Sequence, residues 1–289
     1  MTEEATATPT KSEVPNEYFK QYDGFEKEWL STSALATAMR CGVQFQYTYI
    51  DRLPKSIGVR QTCGSGAHKA REINLQQKIE SQNDLSTDQC MDAARDYVNT
   101  QFESHESQLE TEFEDMTHAE ARGAAVDFAV VMAELDRETF HRDIMPIAVE
   151  KAISIEFPGM TRRVVGKLDV MEEGAVVNDL KTGKRAFGQS KADNAMGLTT
   201  YGLLTFVDEG VLPTAYVVNN VVASGKSAPK TNVYETHRSE AQLERQVRRF
   251  AQWNKIIDKG MFGPCNPEEW ICSKEWCSFH NRCPYGGAK

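Results

Sequence analysis

The sequence predicts an α/β fold: helices first, then a mixed sheet, then helices around it. Two observations carry this. The first is a change of hydrophobic period. After Phe140, Ile153, Ile155 and Phe157 alternate with Ser154 and Glu156, the two-residue repeat of a strand. The second is a pair of helix-start signatures on either side of that region. Thr117-x-x-Glu120 and Ser239-x-x-Gln242 each set a hydroxyl three residues before a Glu or Gln, the reciprocal capping arrangement.

The elements follow in order. Residues 1–17 are polar, with Pro9 and Pro15, and are expected to be a disordered tail. Residues 18–289 are expected to form one domain. Ser33 is placed to cap a short helix running toward Cys41. Gly64-Ser-Gly66-Ala-His68 leads into another helix, with His68 and Glu72 one turn apart on one face. The acidic stretch to about residue 116 reads as mostly exposed helix. The Thr117 helix, to about Phe140, sets Ala124, Phe128, Val131 and Leu135 on one face, the expected core face. Residues 75–140 then form a helical insertion. Two strands follow, Arg163–Val170 and Gly174–Lys181, joined by Met171-Glu-Glu-Gly174. Ala195–Phe206 is a helix containing Tyr201. Thr214–Val222 is apolar on both faces, so it is a central strand. The Ser239 helix carries Leu243, Val247, Phe250 and Ile257 and ends near Gly260. Residues 264–289 are a cysteine-rich loop.

The net charge is −9 over 289 residues, which argues against a general nucleic-acid binder. Its distribution softens that exclusion. Glu72 to Glu120 holds 13 acidic and 2 basic residues, so the remainder is slightly basic. Arg162, Arg163, Lys167, Lys184, Arg185 and Lys191 are expected around one groove, and a local basic groove can bind phosphates despite an acidic whole. No run approaches the ~18 apolar residues of a membrane span. The polar start shows no signal segment, so a reducing cytosol and no membrane partner are expected.

Gly166-Lys-Leu-Asp169 and Asp179-Leu-Lys181-Thr-Gly-Lys184 flank the expected strand–turn–strand. Residues two apart in a strand share a face, so Asp179 and Lys181 point the same way. Two carboxylates can hold a hard divalent cation, and Mg²⁺ favours one or two carboxylates plus substrate phosphate. A nearby lysine can position a water. These are the parts of phosphodiester hydrolysis. The plainer reading is an exposed hairpin with an ordinary salt bridge.

Seven cysteines are present, three of them as Cys272-x4-Cys277-x5-Cys283. In a reducing compartment, grouped thiols point to metal before disulfide. Three thiolates leave a four-ligand site one short. Cys41 is the best fourth and would close the N-terminal segment onto the C-terminal one; Cys265 is a rival ranked below it. Thiolates suit zinc or iron–sulfur, and spacing does not separate them. His280 is a further zinc candidate, though an exposed loop histidine is the commoner outcome. Cys63 and Cys90 are expected to be small buried side chains.

Taken together, the acidic motif resembles the PD-(D/E)XK nuclease superfamily. His68 resembles the upstream histidine of its RecB-type branch. Cys41 with Cys272, Cys277 and Cys283 resembles the iron–sulfur staple found in recombination nucleases, the CRISPR adaptation nuclease and related phage exonucleases. The resemblance implies a restriction-endonuclease-like core with a mixed central sheet, and a four-iron 4Fe-4S staple joining the two ends. It implies that His68, Asp169, Asp179 and the Leu180 carbonyl bind Mg²⁺ or Mn²⁺. Lys181 would orient the attacking water, Glu150 would support the metal ligands from behind, and Tyr201 would belong to a Gln-x-x-x-Tyr helix whose first position here is Gly197. It implies a DNA exonuclease acting on single strands or duplex ends in recombination, end processing or phage replication. A recombination, single-strand-annealing or helicase partner would accompany it. The rival expectation is a catalytically degenerate nuclease fold that binds DNA or a protein partner.

Overall fold

The computed structural model describes residues 10–11, 29–55, 58–104, 109, 113–225 and 227–286. A seven-stranded sheet organises them. Its strands are β1 (Thr10–Lys11), β2 (Trp29–Ser31), β3 (Pro146–Glu156), β4 (Arg163–Glu172), β5 (Val176–Gly183), β6 (Ala215–Val222) and β7 (Lys230–Thr236). The spatial order is β1-β3-β4-β5-β6-β7, with β2 lying parallel to β4 off this path. β5 and β6 are parallel and the remaining neighbours antiparallel, so the sheet is mixed, as expected. Thr10–Lys11 fall in the segment read as a disordered tail, yet they pair with Ile155 and Glu156 of β3; the rest of that segment lies outside the described residues.

The helices are α1 (Thr32–Arg40), α2 (Gly42–Phe45), α3 (Val59–Ser81), α4 (Thr87–Ser104), α5 (His118–Thr139), α6 (Gln189–Asp193), α7 (Met196–Glu209) and α8 (Glu240–Asp258). Both capping boxes form, at Thr117 and Ser239. The cap of α1 is Ser31, whose Oγ accepts the Ala34 N–H at 3.2 Å, and not Ser33. α3 starts at Val59, so Gly64 and Gly66 lie inside it and do not lead into it. Their reason is contact. A Cβ on Gly64 would stand 2.6 Å from Thr182 Oγ1 of β5, and one on Gly66 would stand 3.1 Å from Ala129 and Val98. The missing side chains let α3 lie close to the sheet on one side and to its helical neighbours on the other.

The buried face of α5 is Ala121, Ala125, Ala129 and Ala133, beside the face expected from the sequence. Ala124, Phe128, Val131 and Leu135 are half-buried. Small residues face α3 and α4 because those helices approach closely; the larger side chains fill the rim. That three-helix cluster also buries Cys63 and Cys90, as expected. β7 was not visible in the sequence. It is an edge strand pairing only with β6, mostly polar, with Val233 exposed, so it lacks a buried alternation. β6 is buried between its neighbours, as its apolar run requires.

The largest core cluster lies where α1, α7 and α8 cover the sheet, and includes Leu35, Leu168, Leu204, Tyr216, Phe250 and Ile257. Tyr216 is fully buried there with its hydroxyl unpartnered, against the helix backbone at Gly202. A Cβ on Gly202 would fall 1.9 Å from that hydroxyl. Gly202→Ala is therefore expected to cost about 1–3 kcal/mol by overpacking. Tyr216→Phe removes a buried hydroxyl without a hydrogen bond, so it should leave stability unchanged or raise it and should partly rescue Gly202→Ala. Thermal melts of the two single variants and the double variant check this; a strongly destabilised Tyr216→Phe would contradict it.

Candidate active site and cysteine pocket

The β4–β5 hairpin decides where the two acids meet. A simple hairpin through the expected turn, Met171–Gly174, would set Asp169 near Val176, so that a bulge or strong twist would have to bring it to Asp179. The turn is instead Glu173-Gly174-Ala175, with Gly174 and Ala175 both at positive φ, 76° and 60°. Glu172 pairs with Val176, Met171 with Val177 and Val170 with Asn178. The next positions, Asp169 and Asp179, face each other where the pairing stops. No bulge is needed. Asp169 Oδ2 instead accepts the Leu180 N–H at 3.0 Å, so the carboxylate takes the place of a ladder acceptor.

β3 extends the row. Val149 pairs with Val170 and Lys151 with Leu168, which sets Glu150 opposite Asp169. Glu150 adopts φ +53°, a left-handed conformation inside a strand that costs free energy for a non-glycine residue. Glu150, Asp169 and Asp179 thus lie across three adjacent strands. His68 of α3 reaches the row from above, its Nδ1 3.3 Å from Asp169 Oδ2. Lys181, two residues after Asp179, sets Nζ 2.5 Å from Asp179 Oδ2 and 3.5 Å from the Leu180 carbonyl. Lys167 pairs with Glu150.

Two glycines make this geometry possible. Gly64 lets α3 close over β5 one turn before His68. Gly166 lets α7 close over β4, since a Cβ there would stand 2.5 Å from Leu204 Cδ1 and 3.7 Å from the Tyr201 ring. Tyr201 consequently sits near the acids; burial, then Asp169, Asp179 and Glu150, hold its phenol well above the usual range. Gly197, where the resemblance implies Gln, has open space: a Cβ there meets nothing within 4 Å.

The electrostatics follow from burial. Asp179 is buried, and desolvation raises its pKa against the pull of Lys181, with Asp169 adding repulsion. Burial pulls Lys181 down, but Asp179 and Asp169 more than offset it and its pKa is raised. Burial, then the charge of Asp169, push Glu150 up to about 7 against Lys167. Glu72 adds to the field at Glu150 and Lys167. This fourth carboxylate was missed in the sequence, although its spacing from His68 was the available signal.

The donors suit a hard divalent cation, and Asp179 carries the test. Both of its oxygens are buried without a well-aligned hydrogen bond, although Lys181 Nζ is close. A buried carboxylate in that state favours an added positive charge. Among the described residues, no three His, Cys, Asp or Glu side chains are already gathered tightly enough to chelate one ion. The candidate ligands are adjacent, and binding would draw them in.

The basic residues divide. Lys167 and Lys181 reach the acidic row, and Lys184 and Arg185 follow β5 on exposed turns. Arg162 does not join them. It is buried, with Nη1 2.5 Å from Asp258 and 3.2 Å from Asn254, and ties the start of β4 to α8. Arg163 pairs with Glu156 on the surface, 3.1 Å apart. Lys191 lies 4.5 Å over the Phe187 ring.

Cys41, Cys265, Cys272, Cys277 and Cys283 line one pocket, with His280 beside them. Cys41 joins α1 to α2 and is extended, at φ −158°; its Sγ accepts the Gln44 N–H at 3.4 Å. α2 meets the C-terminal loop almost backbone to backbone, and a Cβ on Gly42 would stand 2.8 Å from the Gly263 carbonyl. Val43 N–H donates to that carbonyl at 3.3 Å, and the Tyr47 and Phe279 rings stand 5.5 Å apart. The thiols are not equivalent. Cys277 faces Cys41, Cys283 and Cys272, and burial raises its pKa. Burial, then Cys41 and Cys272, push Cys265 up to about 12. Cys265 interacts with Cys41 and Cys272, and Cys277 with Cys41, Cys272 and Cys283, so the pocket gathers all five thiols and does not single out four. His280 is half-buried, its Nδ1 enclosed without a hydrogen bond.

The chain belongs to the PD-(D/E)XK nuclease superfamily, whose family profile matches residues 29–284. A solved structure from Eubacterium rectale, provisionally named an exonuclease, superposes with a TM-score of 0.57 at 12% identity, over 90% of this chain and 92% of that one. That likeness supports the fold. A second, SSO0001, aligns with a TM-score of 0.35 at 15% identity over 75% of this chain and 96% of that chain, too distant to bear on it. No curated protein matches the chain. No helix among the described residues is long and apolar enough to cross a membrane.

The Asp179–Lys181 pair has a measurable consequence in metal-free buffer. Lys181→Met strands a buried carboxylate and is expected to cost roughly 1–3 kcal/mol, less than a fully buried pair because Lys181 is 37% exposed. Asp179→Asn with Lys181→Met should regain most of that loss. Chemical denaturation of the three proteins checks the order; equal stability of all three would contradict the pairing.

Proposed function

We propose that the protein is a Mg²⁺- or Mn²⁺-dependent DNA exonuclease of the RecB-type branch, its two ends stapled by a 4Fe-4S cluster on Cys41, Cys272, Cys277 and Cys283. The observation that carries the nuclease reading is the row Glu150–Asp169–Asp179 with Lys181 and His68 at its side, in a chain of this superfamily. The exonuclease reading draws support from the name of the Eubacterium rectale protein. A divalent ion held there supplies Lewis acidity to the scissile phosphate and lowers the pKa of a bound water.

The chain's own groups have these roles. His68, Asp169, Asp179 and the Leu180 carbonyl would hold the ion. Lys181 orients the attacking water and its ammonium meets the negative charge that grows on the phosphate oxygens. Glu150 braces the row, held by Lys167. Tyr201 closes the apolar side and limits water. Lys184 and Arg185 offer charge to the DNA backbone beyond the reacting phosphate.

Asp179→Ala and Lys181→Ala are each expected to cut the cleavage rate by about 10²–10³-fold or more while keeping the fold. The assay is end-labelled linear single-stranded and duplex DNA with Mn²⁺, beside covalently closed circles. Linear DNA should be degraded and circles left intact. A folded variant cleaving at the wild-type rate would remove its residue from the site, and cleaved circles would make the enzyme an endonuclease.

The staple has its own test. Protein purified without oxygen should be brown and contain iron. Cys41→Ser, Cys272→Ser, Cys277→Ser and Cys283→Ser should each lose colour and melt earlier, since a site present only in the folded state adds its binding free energy to folding. Cys63→Ser, Cys90→Ser and Cys265→Ser should keep the colour. Colour lost in Cys265→Ser and kept in Cys41→Ser would confine the metal to the C-terminal loop, and a colourless, zinc-containing protein would replace iron with zinc.

A further inference from the structure

α3 carries His68 and, three residues on, Arg71. The Arg71 side chain is among the largest fully buried ones, 2% exposed. It makes four hydrogen bonds to three other elements. Nε and Nη2 grip the Asp136 carboxylate of α5 at 3.0 and 2.9 Å. Nη1 donates to Asn178 Oδ1 of β5 at 3.1 Å, and Nη2 to Asn219 Oδ1 of β6 at 2.8 Å.

Those partners are placed to matter. Asn178 is the last residue of β5 paired with β4, and Asp179 follows it. Asn219 pairs with Leu180 in the parallel register. Each asparagine is held in turn or lies in the central sheet; Asn178 Nδ2 donates to Glu172 Oε1 at 2.9 Å. Asp136 is equally fixed. His141 Nε2 lies 2.7 Å from its Oδ2, and Asn74 Nδ2 lies 2.7 Å from His141 Nδ1. Since Asp136 accepts, His141 donates from Nε2 and accepts at Nδ1 from Asn74. The planar guanidinium thus ties the helix of His68 to α5 by two bonds and to β5 and β6 by one each, at Asn178 beside Asp179 and at Asn219 beside Leu180.

A buried ion pair is weak evidence of stabilisation, because desolvation offsets most of its attraction. What this one does supply is geometry: a bidentate fork fixes both distance and orientation. We propose that Arg71 is a positioning residue for the metal-binding side of the active site, holding α3 against β5 so that His68 and Asp179 keep a constant separation. The proposal rests on the metal-dependent reading of that site.

Arg71→Lys keeps the charge and loses the fork. It should remain folded, with a cooperative melt at lower temperature. Its half-saturating Mn²⁺, read both by cleavage and directly by the electron paramagnetic resonance of free Mn²⁺, should rise by about tenfold, the usual scale for a group that orients a ligand. His68→Ala should raise it as well. In the His68→Ala background, Arg71→Lys should add less than about twofold to the Mn²⁺ shift, because the residue it acts through is gone, while lowering the melting temperature as much as before. Additive Mn²⁺ shifts, or a lowered melting temperature with unchanged Mn²⁺ binding, would reduce Arg71 to packing. Should Arg71→Lys fail to fold, Asn178→Ala removes the β5 end of the joint together with its bond to Glu172 and should raise half-saturating Mn²⁺ by a few-fold; an unchanged titration there overturns the proposal. Wild-type protein that binds Mn²⁺ and cleaves no DNA would sink the nuclease reading and leave the positioning role standing, whereas wild-type protein that binds no Mn²⁺ at its acidic row would sink both.

Discussion

Where β4 and β5 stop pairing decides the chemistry. Three pairs, from Glu172–Val176 to Val170–Asn178, hold the hairpin together. Beyond them the strands part at Asp169 and Asp179. Continued pairing would have spent the Leu180 N–H on a backbone carbonyl; parting gives it to the Asp169 carboxylate. The gap between the strands leaves Asp169, Asp179 and Lys181 grouped without a ladder between them. β6 runs parallel along the whole of β5, so the parting strand keeps a full set of partners on its other side. The opening costs little because only one edge of β5 gives up its ladder.

The helices are fitted to that opening. α3 presses on β5 at Gly64 and α7 on β4 at Gly166, and each contact places a functional side chain within a turn or so, His68 in one case and Tyr201 in the other. The same logic recurs at the cysteine pocket, where Gly42 admits the loop at Gly263 beside Cys41. Three close approaches, each allowed by a missing Cβ, position three distinct groups. A larger residue at any of them would move the group by the width of a side chain.

What was legible in the sequence was local. The Thr117 and Ser239 boxes and the alternation at Ile153–Phe157 depend on neighbours within a few residues, and all three formed. The shared face of Asp179 and Lys181 was readable from a two-residue period; their meeting with Asp169 rested on the family resemblance. The register was not, because it turns on Ala175, a non-glycine at φ +60° that no composition signal marks. β7 hid because an edge strand need not alternate. Arg162 was misplaced because charge alone does not say whether a guanidinium faces DNA or folds inward onto an aspartate of its own chain; only its burial and its distance to Asp258 do. Arg71 hid for the same reason: a lone arginine in a helix reads as solvated until three other elements converge on it.

The cysteine pocket also dictates an order of events during synthesis. Cys41 leaves the ribosome early, on a short helix whose seat is a loop at the far end of the chain. β2 likewise waits for β4, and Arg71 waits for β5 and β6. Contacts so distant in sequence close late, because the loop must be paid out before they can reward it. The nascent chain therefore carries its N-terminal helices without their partners until the last cysteines emerge. A chain cut short between Gly183 and Gly263 would carry its acidic row in full and lack the loop on which α2 is seated.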